Sequence, residues 1–135
     1  MTRIKKIIRN ILITIVALFV LYSIASFVIV KINFDNIFRR TAPSEYSAYL
    51  CYEDVKDEYE RELMTFYSGE NKLQGYLYGT DNSKGLVVIS HGLGCGAESY
   101  LTETLYFVDN GYQVLAYDNT GCHESEGKNC VGLVQ

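Results

Sequence analysis

The run Leu86-Val87-Val88-Ile89-Ser90-His91-Gly92-Leu93-Gly94 is followed, 24 residues after Gly94, by Asp118-Asn119-Thr120-Gly121-Cys122-His123-Glu124-Ser125-Glu126-Gly127, and these two stretches decide how the chain folds. Leu86 to Ile89 is continuous apolar sequence, the pattern of a strand covered on both faces in a parallel sheet. It runs into a glycine loop. Between Glu98 and Asn110, Leu101, Leu105 and Val108 recur at helical spacing, and Gly111 is placed to end that helix in a left-handed conformation. Gln113 to Tyr117 reads as the next strand and ends at Asp118. A strand, helix, strand crossover is right-handed in nearly all cases, which makes the two strands parallel. Both glycine loops, His91 to Gly96 and Asn119 to Gly127, then leave from the carboxyl edge of the sheet, where open α/β sheets bind ligands.

Working outward, Leu63 to Tyr67 and Leu73 to Tyr78 are short apolar and aromatic segments around Ser68-Gly69-Glu70-Asn71-Lys72, the pattern of a hairpin. Thr80 to Gly85 is a turn cluster that delivers the chain into Leu86. The acidic stretch Glu53 to Glu62 reads as a solvated helix end or linker. From Ser44, the spacing of Tyr46, Tyr49 and Leu50 suggests a short amphipathic helix. There are no internal repeats and no low-complexity segments.

From Ile11 to Val30 there are twenty consecutive uncharged residues, which as a helix span about 30 Å, the thickness of a bilayer's hydrocarbon core. A secretory signal peptide usually has an apolar region of only about 7–15 residues, so an uncleaved anchor is the expectation. Arg3, Lys5, Lys6 and Arg9 precede the span, and their excess over Lys31, Arg39 and Arg40 places the amino terminus in the cytoplasm and the rest of the chain outside. All 16 acidic residues but only seven of the 12 basic ones follow residue 34. Such a surface repels phosphate backbones, which argues against a nucleic-acid partner. The expected organisation is a basic tail over residues 1–10, a transmembrane helix over 11–32, a juxtamembrane linker or helix over 33–59 with a connector at Asn33 to Thr41, and a domain over 60–135.

In this order, strand, His91-Gly92-Leu93-Gly94, helix, Gly111-Tyr112, strand, Asp118, Gly121, Ser125 and Gly127 resemble the α/β-hydrolase superfamily. The resemblance is to bacterial membrane-anchored members related to serine aminopeptidase-like and monoacylglycerol lipase-like hydrolases, and it covers roughly residues 60–135. It implies an α/β fold, the amino-terminal part of the hydrolase sheet, made of a hairpin and a parallel β-α-β unit behind a transmembrane helix. It implies cleavage of ester, thioester or amide bonds by a serine nucleophile, with no cofactor and a small-molecule, lipid or peptide substrate.

Acyl transfer places negative charge on the substrate carbonyl oxygen, and each preorganised backbone donor there is worth on the order of 3 kcal/mol. The resemblance assigns one donor to the N–H of Leu93, with Gly92 and Gly94 letting the backbone turn and approach the substrate. His91 then supports the loop, Asp118 caps a turn because the triad acid follows the nucleophile in chain order, and Ser125 is a turn hydroxyl. Ser125 lacks the first glycine of a G-x-S-x-G elbow and has no strand immediately before it. His123 stands where a glycine is common in the family, and a positive φ there would cost histidine more than glycine.

His91, Cys95, Cys122 and His123 have the ligand types of a zinc site, but neither C-x-x-C nor H-E-x-x-H is present, so no metal is expected. For Cys51, Cys95, Cys122 and Cys130 free thiols are the default, with Cys95 to Cys122 the favoured pair if one forms. The nucleophile, triad acid and catalytic base have no candidates within residues 1–135. The chain alone is therefore expected to be inactive and poorly stable, as the amino-terminal portion of a hydrolase. The alternative is a noncatalytic membrane protein that uses a truncated hydrolase-like domain as a binding or interaction module.

Overall fold

A computed structural model of the protein describes residues 3–43 and 49–130. The chain divides into two compact units, Met1–Ile37 and Phe38–Gln135. The first is one helix, α1, Arg3–Ile37, whose apolar window has a mean hydropathy of 2.7. It is long and apolar enough to cross a membrane, a property that a signal sequence shares. The helix extends beyond the expected span at both ends and takes in the first part of the connector expected from Asn33. The local reason is visible: Lys31 pairs with Asp35 one turn on, and the Asn33 amide donates to the Ile29 carbonyl at 2.8 Å, so the polar residues after Val30 continue the helix.

The second unit opens with residues 38–43 and, after the undescribed residues 44–48, a single helical turn, α2, Tyr52–Val55. The helix expected from Ser44 through Tyr46 lies largely outside the described residues, and Tyr49 and Leu50 are not helical. Asp54 closes the start of α2 by accepting the Cys51 N–H at 2.9 Å. The acidic stretch thus contains a helical turn, and its last two residues, Arg61 and Glu62, already belong to β1.

Strands β1 (Arg61–Ser68) and β2 (Asn71–Tyr78) form the hairpin, joined through Gly69 at a φ of +59°. Then come β3 (Leu86–Ser90), a 3-10 turn over Ala97–Tyr100, α3 (Leu101–Asp109) and β4 (Gln113–Tyr117). The sheet order is β1-β2-β4-β3: β4 runs antiparallel to β2 and parallel to β3, with Val88 opposite Leu115. The expected helix is therefore split, its first turn tightened to 3-10 geometry before the apolar stripe begins. Gly111, at a φ of +85°, ends α3, and its N–H bonds the Val108 carbonyl at 2.9 Å.

Register explains the core. Tyr76 faces Ala116 across the β2–β4 pair, Ala116 faces Ile89 across β4–β3, and opposed residues share a face. On that face Tyr76, Tyr78 and Ala116 pack against Ala97, Leu101 and Leu105 from the turn and α3. Arg61 closes one end of this core. Its guanidinium lies 3.7 Å from the Tyr52 ring centroid and 4.5 Å from that of Tyr76, while it pairs with Glu98 at 3.0 Å. The opposite face is less covered: Leu86 is 57% and Val88 55% exposed, and β3 is an edge strand.

Candidate functional site

Because β3 and β4 are parallel, the loops after Ser90 and Tyr117 emerge side by side. Residues 92–95 form a tight turn in which the Cys95 N–H bonds the Gly92 carbonyl at 3.2 Å. Its third residue, Gly94, has a φ of +81°, which such a turn requires and which glycine supplies without strain. Leu93 sits at the second position with its side chain 61% exposed, and its N–H donates to no group among the described residues. The 3-10 turn begins directly after this loop.

His91 stitches the two loops together. Its Nε2 accepts the Asn119 N–H at 2.9 Å, the Asn119 side-chain amide returns a bond to the His91 carbonyl at 3.1 Å, and Nδ1 lies 2.8 Å from the Gly92 carbonyl. Only the tautomer with its proton on Nδ1 satisfies all three contacts, and it leaves no nitrogen free to take a proton from a substrate. Burial holds the ring below the usual histidine pKa, against the raising influence of the Gly92 carbonyl and the Asp118 carboxylate.

Asp118 is buried where three segments meet. One carboxylate oxygen accepts the Ala97 N–H at 2.7 Å at the start of the 3-10 turn, and the other accepts the Tyr76 hydroxyl at 3.2 Å and the Glu124 N–H at 3.3 Å. Burial, with the Asp118 charge beside it, drives the Tyr76 phenol well above its ordinary pKa, so it remains a donor. Ser125 is fully buried and equally committed: its hydroxyl donates to the Asp118 carbonyl and accepts the Gln74 N–H at 2.9 Å.

The second loop is folded back on itself. Gly121, at a φ of +72°, passes so close to the Asn129 backbone that a side chain would not fit, and a Cβ on Gly127 would strike Thr120. His123 adopts a φ of +43°, a non-glycine residue in the left-handed region, and its ring fills the space over Gly96 that a side chain there would need.

The expected cysteine chemistry requires correction. Cys122 forms a disulfide with Cys130, eight residues on, while Cys95 and Cys51 are free. The loop's return brings the Cys122 and Cys130 Cα atoms to 5.4 Å, which suits a disulfide, and closing so short a loop is worth about 2–3 kcal/mol. This takes Cys122 out of the zinc set, and the described residues hold no group of three metal-ligating side chains.

Sequence reasoning missed Arg40. Its guanidinium donates to the carbonyls of Ser125 at 2.7 Å, Gly127 at 3.1 Å and His123 at 2.7 Å, tying three alternate residues of the loop to one cation. By charge alone it reads only as a flank of the apolar span. Nothing in its local sequence announces so distant a set of acceptors.

The four-stranded sheet with its parallel pair has the fold of the amino-terminal part of the α/β-hydrolase sheet. An alpha-beta hydrolase of Vibrio vulnificus matches 74% of this chain at a TM-score of 0.53 and 22% identity, and an esterase of Pyrococcus furiosus matches 68% at 0.48 and 21%. The match covers 36% of each of those chains, so the present chain spans about a third of their length. No protein-family model matches it, and no curated protein matches it.

Two outcomes test the scaffold. Asp118→Asn replaces an acceptor of three hydrogen bonds by an amide that turns N–H donors toward donors, and thermal or urea unfolding should show a loss of about 2–3 kcal/mol. An unchanged midpoint would show that the carboxylate is dispensable. For His91, the folded pKa lies below the unfolded value of 6.5, so between the two the unfolded chain binds more protons. Its contribution to stability is complete above that value and is lost as pH falls. Urea midpoints should decline from pH 7 to pH 5, and the decline should be shallower in His91→Gln.

Proposed function

We propose that the chain is the amino-terminal part of a membrane-anchored serine hydrolase acting on ester, thioester or amide bonds, allied to the aminopeptidase-like and monoacylglycerol lipase-like members of its superfamily. The observation that carries this reading is the turn at residues 92–95, at the carboxyl edge of β3 in a hydrolase-type sheet, where the Leu93 N–H has no partner among the described residues. On this reading that N–H stabilises the oxyanion, and Gly92 and Gly94 leave room for the scissile carbonyl. His91, Asp118, Gly121, Ser125 and Gly127 hold the loops in place. The nucleophile, triad acid and catalytic histidine come from sequence beyond Gln135. The next strand would then pair with the free backbone edge of β3, and later helices would cover the face on which Leu86 and Val88 are exposed.

The same reading makes α1 a signal anchor inserted in the lipid bilayer through residues 11–32, with Arg3, Lys5, Lys6 and Arg9 in the cytoplasm. The domain then lies outside, in a compartment where a disulfide such as Cys122–Cys130 persists.

Treating cells that express the complete gene with a serine-reactive fluorophosphonate should label one serine, in a G-x-S-x-G sequence beyond Gln135, and an alanine there should abolish labelling. Purified residues 32–135 should hydrolyse p-nitrophenyl esters no faster than their Ser125→Ala variant. Labelling of Ser125 would overturn the assignment, and a gene product that ends at Gln135 would favour the noncatalytic alternative. For topology, protease added to intact spheroplasts should remove residues after 40; complete protection that ends only on lysis would reverse the orientation.

A further inference from the structure

The segment 38–41 and the loop 119–130 are bound by backbone bridges and by the Arg40 side chain. The Thr41 N–H bonds the Gly121 carbonyl at 3.1 Å, the His123 N–H bonds the Thr41 carbonyl at 2.9 Å, and the Cys130 N–H bonds the Phe38 carbonyl at 2.8 Å. These are the ends of two short bridges, Thr41 with Cys122 and Arg39 with Asn129. Arg40 lies between them in sequence, and its guanidinium gathers the carbonyls of His123, Ser125 and Gly127. The half-cystines Cys122 and Cys130 occupy the two arms to which the segment bonds, and both are buried.

From this arrangement we propose that Cys122–Cys130 and Arg40 form one redox-dependent clamp that fastens the segment 38–41 to the loop carrying Asp118 and Ser125. The three carbonyls that Arg40 gathers lie between the two half-cystines, so the disulfide, beside the Gly121 N–H to Glu126 carbonyl bond at 2.8 Å, holds the stretch to which they belong. Conversely, the seated segment bonds the backbone beside or at each half-cystine, at Gly121, His123 and Cys130, and both half-cystines are buried. The two devices are therefore coupled, and coupling at equilibrium is reciprocal: loosening one weakens the other.

Opening the clamp has a balanced chemistry. A thiolate of a dithiol reductant attacks one sulfur, breaks the Cys122–Cys130 bond and forms a mixed disulfide; the second thiol of the reductant then closes on it and releases the other cysteine. Two electrons and two protons pass from the reductant to the two cysteines. Closing the clamp is the reverse, with a disulfide oxidant as acceptor. No step depends on the hydrolase reading, since the clamp needs only the loop and the segment.

The test uses the full chain in detergent micelles, observed by amide hydrogen exchange and by alkylation of thiols. In the oxidised protein two cysteines, Cys51 and Cys95, should react with iodoacetamide under denaturing conditions. Reduction with dithiothreitol should accelerate exchange of the Thr41, His123 and Cys130 amides at least tenfold, while the β2–β4 amides of Tyr76 and Ala116 keep their protection. Arg40→Met, left oxidised, should make the disulfide reducible at least fivefold faster, and Arg40→Lys should fall between it and the unaltered chain. Cys122→Ser with Cys130→Ser should reproduce the reduced exchange pattern without reductant. Four reactive thiols in the oxidised protein, unchanged exchange at Thr41 on reduction, or an unchanged reduction rate in Arg40→Met would each overturn the proposal. So would loss of protection across β2 and β4, which would make the disulfide a staple of the whole sheet.

Discussion

The buried carboxylate of Asp118 is the constraint on which the rest of this domain depends. A charge in the interior is stable only if hydrogen bonds replace the water it has lost, and here the replacements come from three different places. The Tyr76 hydroxyl belongs to β2, the Ala97 N–H to the turn that leads into α3, and the Glu124 N–H to the loop after β4. Satisfying one side chain therefore sets the height of the helix over the sheet and the path of the second loop. The Asp118 backbone continues the sheet by bonding the Gln74 carbonyl at 2.9 Å, so the carboxylate cannot relax without disturbing the β2–β4 pair. Ser125 lies against the same backbone and removes the remaining freedom of the turn.

The parallel pair was legible in sequence because its signals are local. Continuous apolar residues at Leu86 to Ile89, the spacing of Leu101 and Leu105, and a glycine at position 111 each report a backbone state within a few residues, and together they admit one topology. The hairpin followed for the same reason, with Gly69 at its turn. The boundaries that shifted, at Asn33, Glu62 and Ala97, lie where side chains one turn apart or across the sheet outweigh composition. Arg61 shows why: as a formal charge beside an acidic stretch it reads as solvated, yet it lies against two tyrosine rings that only folding brings together.

The second loop was harder to read because its determinants are mutual. Cys122 has Cys95 and Cys130 as possible partners in sequence, and the choice depends on the turn at Gly121, whose close approach to Asn129 closes the loop on itself. The positive φ of His123 has a related origin. A glycine there would adopt the conformation more freely, but it would leave empty the space over Gly96 that the imidazole fills. A local conformational cost is thus offset by a contact between loops, and a rule based on single positions cannot see it.

The two loops consequently divide their work by the kind of group each offers. The first presents backbone: a turn with glycine on both sides of Leu93, an outward side chain and an N–H that no described group uses. The second presents side chains, and those of Asp118, Asn119 and Ser125 are spent inside the protein. If the Leu93 N–H serves as proposed, a donor fixed in the main chain needs no rotamer to be frozen when a charge develops nearby, so its geometry is only as good as the support beneath it. That support is the His91–Asn119 exchange and the Asp118–Ala97 bond, which fasten the two ends of the first loop to the second. The polar residues that look most reactive in the sequence are in this sense the ones least available for chemistry, because their hydrogen-bonding capacity holds one backbone donor in position.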